Sequence, residues 1–485
     1  MYSLRQMALD DKISRQVSVE VFTQIYPPQT IETLVEQDAH IQKKERRVRH
    51  FVRVSVVWFV LMMAIWTRLA QARVWDKLTH KLLVLHPDED LRLPGASALS
   101  SQRQLLGDEL LRRLMEQCCH PLCSPQTPGA FYKGYRLMAL DGTLFNVPDT
   151  PANDAAFGRS RNQYGKGAYP QIRCVSLLEC GSHATIAMSL SPYTRQETHG
   201  AHDLLGWVQA GMLVMHDAGL FGGGLWQGLR TRGAQVLSAI AEPILLGTGE
   251  REALSDGSDL TWLQPSKGAV YPLKKPMRIR VIEYRVTDKR LGELGKVSRL
   301  ATTLLDEHAS PALELIVQDH ERWELELVYD EIKTHQRQQQ KVLRSKTPQG
   351  VRQEVDATML AHYAVRAVML QAAEEAGLDP DRLSFTEAVF QISEALDDAM
   401  VFAPEHGERL AQRVRRCLRH KLLPARHLRM NRREIKQVYN KHKPKKRGMP
   451  PPEPFQAHER FEDFVVLEVR YPLPTSKEVA LLALN

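Results

Sequence analysis

The chain has 485 residues, 43% of them hydrophobic, which is long enough for two or three domains around at least one large core and excludes an intrinsically disordered chain. Lys and Arg outnumber Asp and Glu 65 to 57, giving a formal net charge of +8 and a pI near 9.1. The excess gathers at Lys43–Arg53 and Arg413–Arg447, a pattern that suits a polyanion such as nucleic acid, although a single basic run is also what a solvated face looks like.

Six cysteines in a chain of this size do not make a disulfide scaffold, so a reducing compartment is expected. Cys118, Cys119, His120 and Cys123 lie close together but lack the paired CxxC spacing of a zinc site. The apolar run Val54–Trp66 falls short of the ~20 residues that a bilayer span needs, and Arg53 and Arg68 flank it, so a buried helix is expected. The opening MYSLRQMALDDK has no secretory apolar stretch before its acids, which predicts a cytoplasmic protein with no membrane partner.

In chain order, residues 31–83 and 105–116 read as helical, and Pro121, Pro125, Pro128 and Gly129 then mark a boundary. From Tyr135 the pattern changes to short apolar runs between turn signals. Strands are predicted at Tyr135–Leu140, at Gln171–Glu179 and Ala184–Ser191 as a hairpin, at Met212–His216 and at Gln235–Ala239. Helices are predicted at Gly200–Gln209 and Gly224–Arg232, and the alternation implies a mixed sheet covered by helices. Strand-like pieces at Thr261–Leu263, Arg278–Val286 and Arg299–Leu304 read as a β insertion at about 243–308, separate from the first sheet. A helix over 320–336 resumes the main domain. Helices follow to Ala376 and over 384–396, then the basic stretch, a Pro-rich linker and one strand-like piece at Phe464–Arg470.

Asp141 and Asp217 each stand where an apolar run meets a small-residue turn, in LMALDGT and LVMHDAG. Either could be a plain turn aspartate, but carboxylates at the ends of neighbouring strands can also converge above a sheet. In RWELELVYDEIK, a helix advancing about 100° per residue gathers Arg322, Glu326, Tyr329 and Lys333 on one stripe, while Glu324 and Glu331 point elsewhere. Such a stripe can be a mere solvent face. One acid between two bases also suits a metal ion beside phosphates. Three carboxylates can hold two Mg²⁺ ions for in-line phosphoryl displacement, with Arg322 and Lys333 on phosphate.

At these residues the chain resembles the IS-four family of bacterial insertion-sequence transposases. Asp141 in LDGT, Asp217 in DAGLF and Glu326 resemble the family's DDE acids, and Arg322, Glu326 and Lys333 fit the spacing YxxRxxxExxxxxxK. Asp319 stands at the tyrosine position; a carboxylate there would repel phosphate, so either Tyr329 or His320 substitutes or the step is weakened. NDAAFGRSRNQYGKGAYPQIR, LRSKTPQGVRQE and MLAHYAVR are similar to further family blocks.

The resemblance implies an α/β, ribonuclease-H-like mixed-sheet core carrying the β insertion, flanked by helical N- and C-terminal domains. It implies cut-and-paste transposition through a DNA hairpin, with two Mg²⁺ (Mn²⁺ able to substitute), and an aromatic of the insertion stacking on a flipped base. Trp262 is the candidate for that aromatic; packing in its strand is the plainer role. Arg159, Arg161 and Lys166, in a Gly-rich loop after the first acid, are candidates for DNA contact or for a solvated loop.

The domains expected are a DNA-binding region 1–130, a catalytic domain 131–345, a basic helical region 346–449 and a tail 450–485 of unassigned role. Expected partners are terminal inverted repeats and target DNA, held by a homodimer in a nucleoid-associated setting. The rival readings are a non-cleaving DNA-binding relic or inhibitor and a nuclease of the same fold without strand transfer.

Overall fold

The computed structural model describes residues 20–38, 53–85, 95–162, 165–241, 251–266, 269–291, 294–322, 326–338, 340–399, 407–424 and 455–468. The chain divides into two compact units. Unit one holds Met1–Trp207 with Glu324–Leu423, and unit two holds Val208–Trp323 with Pro424–Asn485.

Unit one begins with helices, among them Pro28–Gln37, Arg53–Ile65, Gln71–Leu85, Ala96–Leu106 and Glu109–Cys118. The Arg53–Ile65 helix is apolar on every side, and Val56 through Val60 are all buried, as expected for a helix that has no polar stripe to show water. Among the described residues no helix is long and apolar enough to cross a membrane.

Six strands follow in unit one: β1 (Phe131–Tyr132), β2 (Tyr135–Asn146), β3 (Arg161–Asn162), β4 (Gly165–Lys166), β5 (Gln171–Glu179) and β6 (Thr185–Pro192). They form the antiparallel order β6-β5-β2 with β1 on β2, and a separate β3-β4 ribbon. The 27-residue helix Pro348–Glu374 packs on β6 and on the Arg53–Ile65 helix. Thr347 starts it by accepting from the Gly350 amide at 3.2 Å, with Pro348 at the first helical position.

Unit two carries β7 (Met212–His216), β8 (Gln235–Ala239), β9 (Glu252–Ala253), β10 (Asp259–Leu263), β11 (Met277–Val286), β12 (Ser298–Thr302) and β13 (Val465–Leu467). β7 and β8 are parallel, joined through the helix Gly223–Thr231. The remaining strands are antiparallel in the order β8-β12-β11-β10-β9, and β13 of the tail pairs with β11. In the same tail Phe461 stacks on His320 with ring centroids 3.8 Å apart.

Three expectations change. Asp141 does not end its strand, because β2 runs on to Asn146 and Asp141 sits mid-strand opposite Ser176. Gly142 there lies in the strand rather than in a turn, with the Glu197 carboxylate over the place a Cβ would take. The strands of the 243–308 region are not a separate sheet. β12 pairs with β8, Leu300 opposite Ala239, and covers an edge that would otherwise leave its amides unpaired.

The predicted 320–336 helix is not a uniform α-helix. Ala312–Arg322 ends in unit two, Glu326–Asp330 opens in unit one, and Glu331–Gln336 is a π-helix, with residues 323–325 outside the described set.

Candidate active site

Asp141, Thr143 and Phe145 alternate on one face of β2, since side chains on a strand repeat every second residue. Asp141 Oδ1 accepts from the Gly142 amide at 2.8 Å. Over this face lie two residues of the third-acid segment: the Tyr329 hydroxyl donates to the Asp141 carbonyl at 2.8 Å, and Lys333 Nζ donates to Thr143 Oγ1. The Lys333 ammonium also stands 5.3 Å from the centre of the Phe145 ring, within cation–π range. Tyr329 is buried, and burial pushes its phenol well above the ordinary range, so it remains a donor. Tyr329 therefore ties the third-acid segment to the strand of the first acid rather than facing solvent. Glu326 opens the helix Glu326–Asp330; its side chain lies outside the described residues.

Glu331 is turned into unit one, where it accepts from Arg366 Nε at 3.1 Å and meets His362 Nε2 at 3.1 Å. Burial opposes ionisation of Glu331, but the Arg366 guanidinium and the His362 bond overcome it and hold the carboxyl at about 2.

In unit two, Asp217 caps a short 3₁₀ turn, its Oδ1 accepting from the amides of Gly219 at 3.0 Å and Leu220 at 3.2 Å. Among the described residues no hydrogen bond reaches Oδ2, which suits a carboxylate kept for an external cation. The preceding His216 is fully buried, accepting from the Trp226 indole at 3.0 Å and lying 3.0 Å from Ser238 Oγ. Burial lowers the His216 imidazole to about 4, so the ring is neutral and fixes the strand end by hydrogen bonds alone.

Asp319 is 5% exposed and accepts from Arg322 Nε at 3.3 Å. Burial raises its carboxyl above the ordinary range, Arg322 pulls it back and Asp217 pushes it further up. The residue at the family's tyrosine position thus holds Arg322 directly, and its charge is partly answered within unit two.

The other predicted residues fall in varied surroundings. Trp262 on β10 is 43% exposed. Arg159 is locked between Asp149 and Asp154 and donates to the Ala168 carbonyl at 2.9 Å. Arg161 and Lys166 sit opposite each other on the exposed β3-β4 ribbon, which replaces the expected loop. Of the basic C-terminal run, the described Arg413, Arg415 and Arg419 are paired with Asp398, Glu375 and Glu408, and residues 425–447 lie outside the described set.

Sequence reasoning missed Glu197, whose carboxylate covers Gly142 and accepts from Arg173 Nη1 at 3.2 Å, and it missed His216 as a support. The adjacency of His216 to the second acid was the only local signal for either. Among the described residues no three His, Cys, Asp or Glu side chains are grouped to hold a metal ion; Glu326 is not part of that set.

Residues 16–116 match the family model for the insertion element 4 transposase N-terminal domain, and residues 132–363 match that for the transposase DDE domain. The transposase InsG for insertion sequence element IS4 of Escherichia coli (strain K12) is 31% identical over 354 residues, 70% of this chain and 75% of that protein. The putative transposase InsZ of the same organism is 24% identical over 201 residues, 41% of this chain and 64% of that protein. Among solved structures, a piggyBac transposase synaptic complex with hairpin DNA matches 81% of this chain and 84% of that chain at 11% identity, with a TM-score of 0.43. With both family domains in order and an IS4 relative aligned over most of its length, the chain belongs to the IS4 family of insertion-sequence transposases and is a DDE enzyme acting on DNA.

Proposed function

We propose that Asp141, Asp217 and Glu326 act together as the DDE triad, cutting DNA at the ends of the insertion element and joining the freed ends to a target. The observation that carries this reading is the pair of bonds from Tyr329 to Asp141 and from Lys333 to Thr143, which ties the segment bearing Glu326 to the strand of the first acid. Membership of the family carries dependence on a divalent metal. The donors fit one: all three are carboxylates, hard oxygen ligands suited to Mg²⁺, and Asp217 keeps Oδ2 clear of described hydrogen bonds. Bound there, two Mg²⁺ ions would activate the attacking oxygen and stabilise the leaving one, Mn²⁺ serving in their place.

The remaining parts follow from the chain's own residues. Arg322, oriented by Asp319, binds the phosphate beside the scissile bond as a planar fork, and Lys333 adds a point charge. Tyr329 positions β2. Trp262, exposed on β10, stacks on a base flipped during hairpin formation. Residues 1–130 recognise the terminal inverted repeats, 131–345 perform the chemistry, and the basic region 346–449 supports DNA backbone contact and a homodimer on DNA. Arg161 and Lys166, exposed on the β3-β4 ribbon, serve DNA, and Arg159 joins them only if substrate displaces the acids that hold it.

The test is end cleavage in Mg²⁺, with oligonucleotides carrying the inverted repeats that flank the reading frame. Asp141→Asn, Asp217→Asn and Glu326→Gln are expected to bind ends and lose cleavage by at least ~10³-fold. Substantial cleavage by any of them sinks the triad. End binding by the wild type without cleavage establishes the relic instead, and cleavage without joining of a pre-cut end establishes a nuclease.

A further inference from the structure

Unit one contains a cavity of about 380 Å³, within the range of small-molecule sites. The helix Glu109–Cys118, β6, the 3₁₀ turn Leu204–Trp207 and the helix Pro348–Glu374 supply its walls. Met188, Leu204 and Trp207 give it apolar lining, and Asp108, Glu109, Glu116, Asp203 and Asp356 outnumber Arg112 and Arg352 among its charged residues.

Most of the acids have cationic partners. Asp203 accepts from Arg195 Nη2 at 2.9 Å and from Ser189 Oγ at 2.6 Å. Arg112 lies between Glu109, reached by Nε at 3.1 Å, and Glu116. Arg352 is 4.0 Å from Asp108 and stands over the Phe157 ring. Asp356 differs: it lines the cavity, is 4% exposed, and makes no hydrogen bond or close ion pair with a described residue, Arg112 and Arg352 attracting it only from farther off. Burial, then the neighbouring Asp108, hold its carboxyl well above the ordinary range.

A buried carboxyl without a hydrogen-bond partner is costly, and an ammonium placed on it reduces the cost. A second negative charge remains nearby, because Arg112 alone serves both Glu109 and Glu116. The apolar wall favours methylenes over a hydrated metal ion. We propose that this cavity binds a small aliphatic diamine or polyamine, one ammonium on Asp356, its methylene chain along Leu204 and Trp207, and a second ammonium toward Glu109 and Glu116. The site is independent of the triad and does not rest on the cleavage reading.

The test is calorimetric titration of the full-length protein with 1,4-diaminobutane and with spermidine at fixed ionic strength, beside thermal unfolding. The expected result is saturable binding at one site, at least tenfold weaker in Asp356→Asn, and none for uncharged 1,4-butanediol. Asp356→Asn should unfold no lower than the wild type, because it replaces a buried carboxyl that has no hydrogen-bond partner. Should that variant fail to fold, Trp207→Ala tests the same cavity, and its affinity for the diamine should fall severalfold. Absence of saturable binding, equal affinity in the variants, or equal binding of butanediol overturns the proposal.

Discussion

Glu331→Gln in unit one should be among the most destabilising conservative changes available there. Glu331 is buried on the π-helix, pairs with Arg366 and meets His362, and Arg366 also lies 2.8 Å from His183 Nδ1. Removing the negative charge leaves a guanidinium buried without its counter-ion, which costs about 3–5 kcal/mol. A second route gives a similar figure: the fall from an ordinary glutamate near 4.5 to about 2 corresponds to ~3 kcal/mol. Because the folded value is depressed, this stability is complete above about 4.5 and is lost as pH falls toward about 2. Urea unfolding followed by circular dichroism at pH 7, 5 and 3 reads the effect. The gap between wild type and variant should be near full at pH 7 and 5 and clearly smaller at pH 3. A gap under ~1 kcal/mol at pH 7, or one unchanged between pH 5 and pH 3, would refute the assignment of Glu331 as the charged anchor of this helix.

Trp262→Ala should leave stability within about 0.5 kcal/mol, as its ring is exposed, while slowing hairpin formation at the element end; a marked loss of stability with normal hairpin yield contradicts the stacking role. Asp319→Asn should tighten binding of element ends by about fivefold, since Arg322 no longer shares its charge with a carboxylate, and unchanged affinity and salt dependence argue against that pairing. Tyr329→Phe should cost about 1 kcal/mol and lower cleavage without weakening end binding, and a cleavage rate equal to wild type removes Tyr329 from the positioning of β2.

The legible parts of the sequence were those set by neighbours along the chain. The β5-β6 hairpin shows in its alternation around Cys180, Gly181 and Ser182, and β7 ends at Asp217 because the small residues after it allow a tight capped turn. The less legible parts depend on partners far away. β2 continues past Asp141 because β5 supplies a ladder from Gln171 to Glu179, so LDGT reads as a turn but folds as a strand. β12 closes on β8 across sixty or so residues of intervening chain, a pairing that no local pattern encodes. Glu331 on the π-helix meets His362 and Arg366 on a helix yet to come, partners that a regular wheel does not reveal.

Two kinds of carboxylate can now be told apart by what they bond. Glu331, Asp203 and Glu179 face arginines, so their charge is cancelled locally and their role is to hold elements together. Asp141 and Asp217 instead receive bonds from backbone amides, and in each case one donor is a glycine just downstream, Gly142 at 2.8 Å and Gly219 at 3.0 Å. An amide orients a carboxylate without adding a positive charge. That distinction explains why LDGT and HDAGL carried a functional signal although each acid alone resembles a turn aspartate. The informative feature was an acid at the end of an apolar run with a glycine just downstream, whose amide fixes the carboxylate.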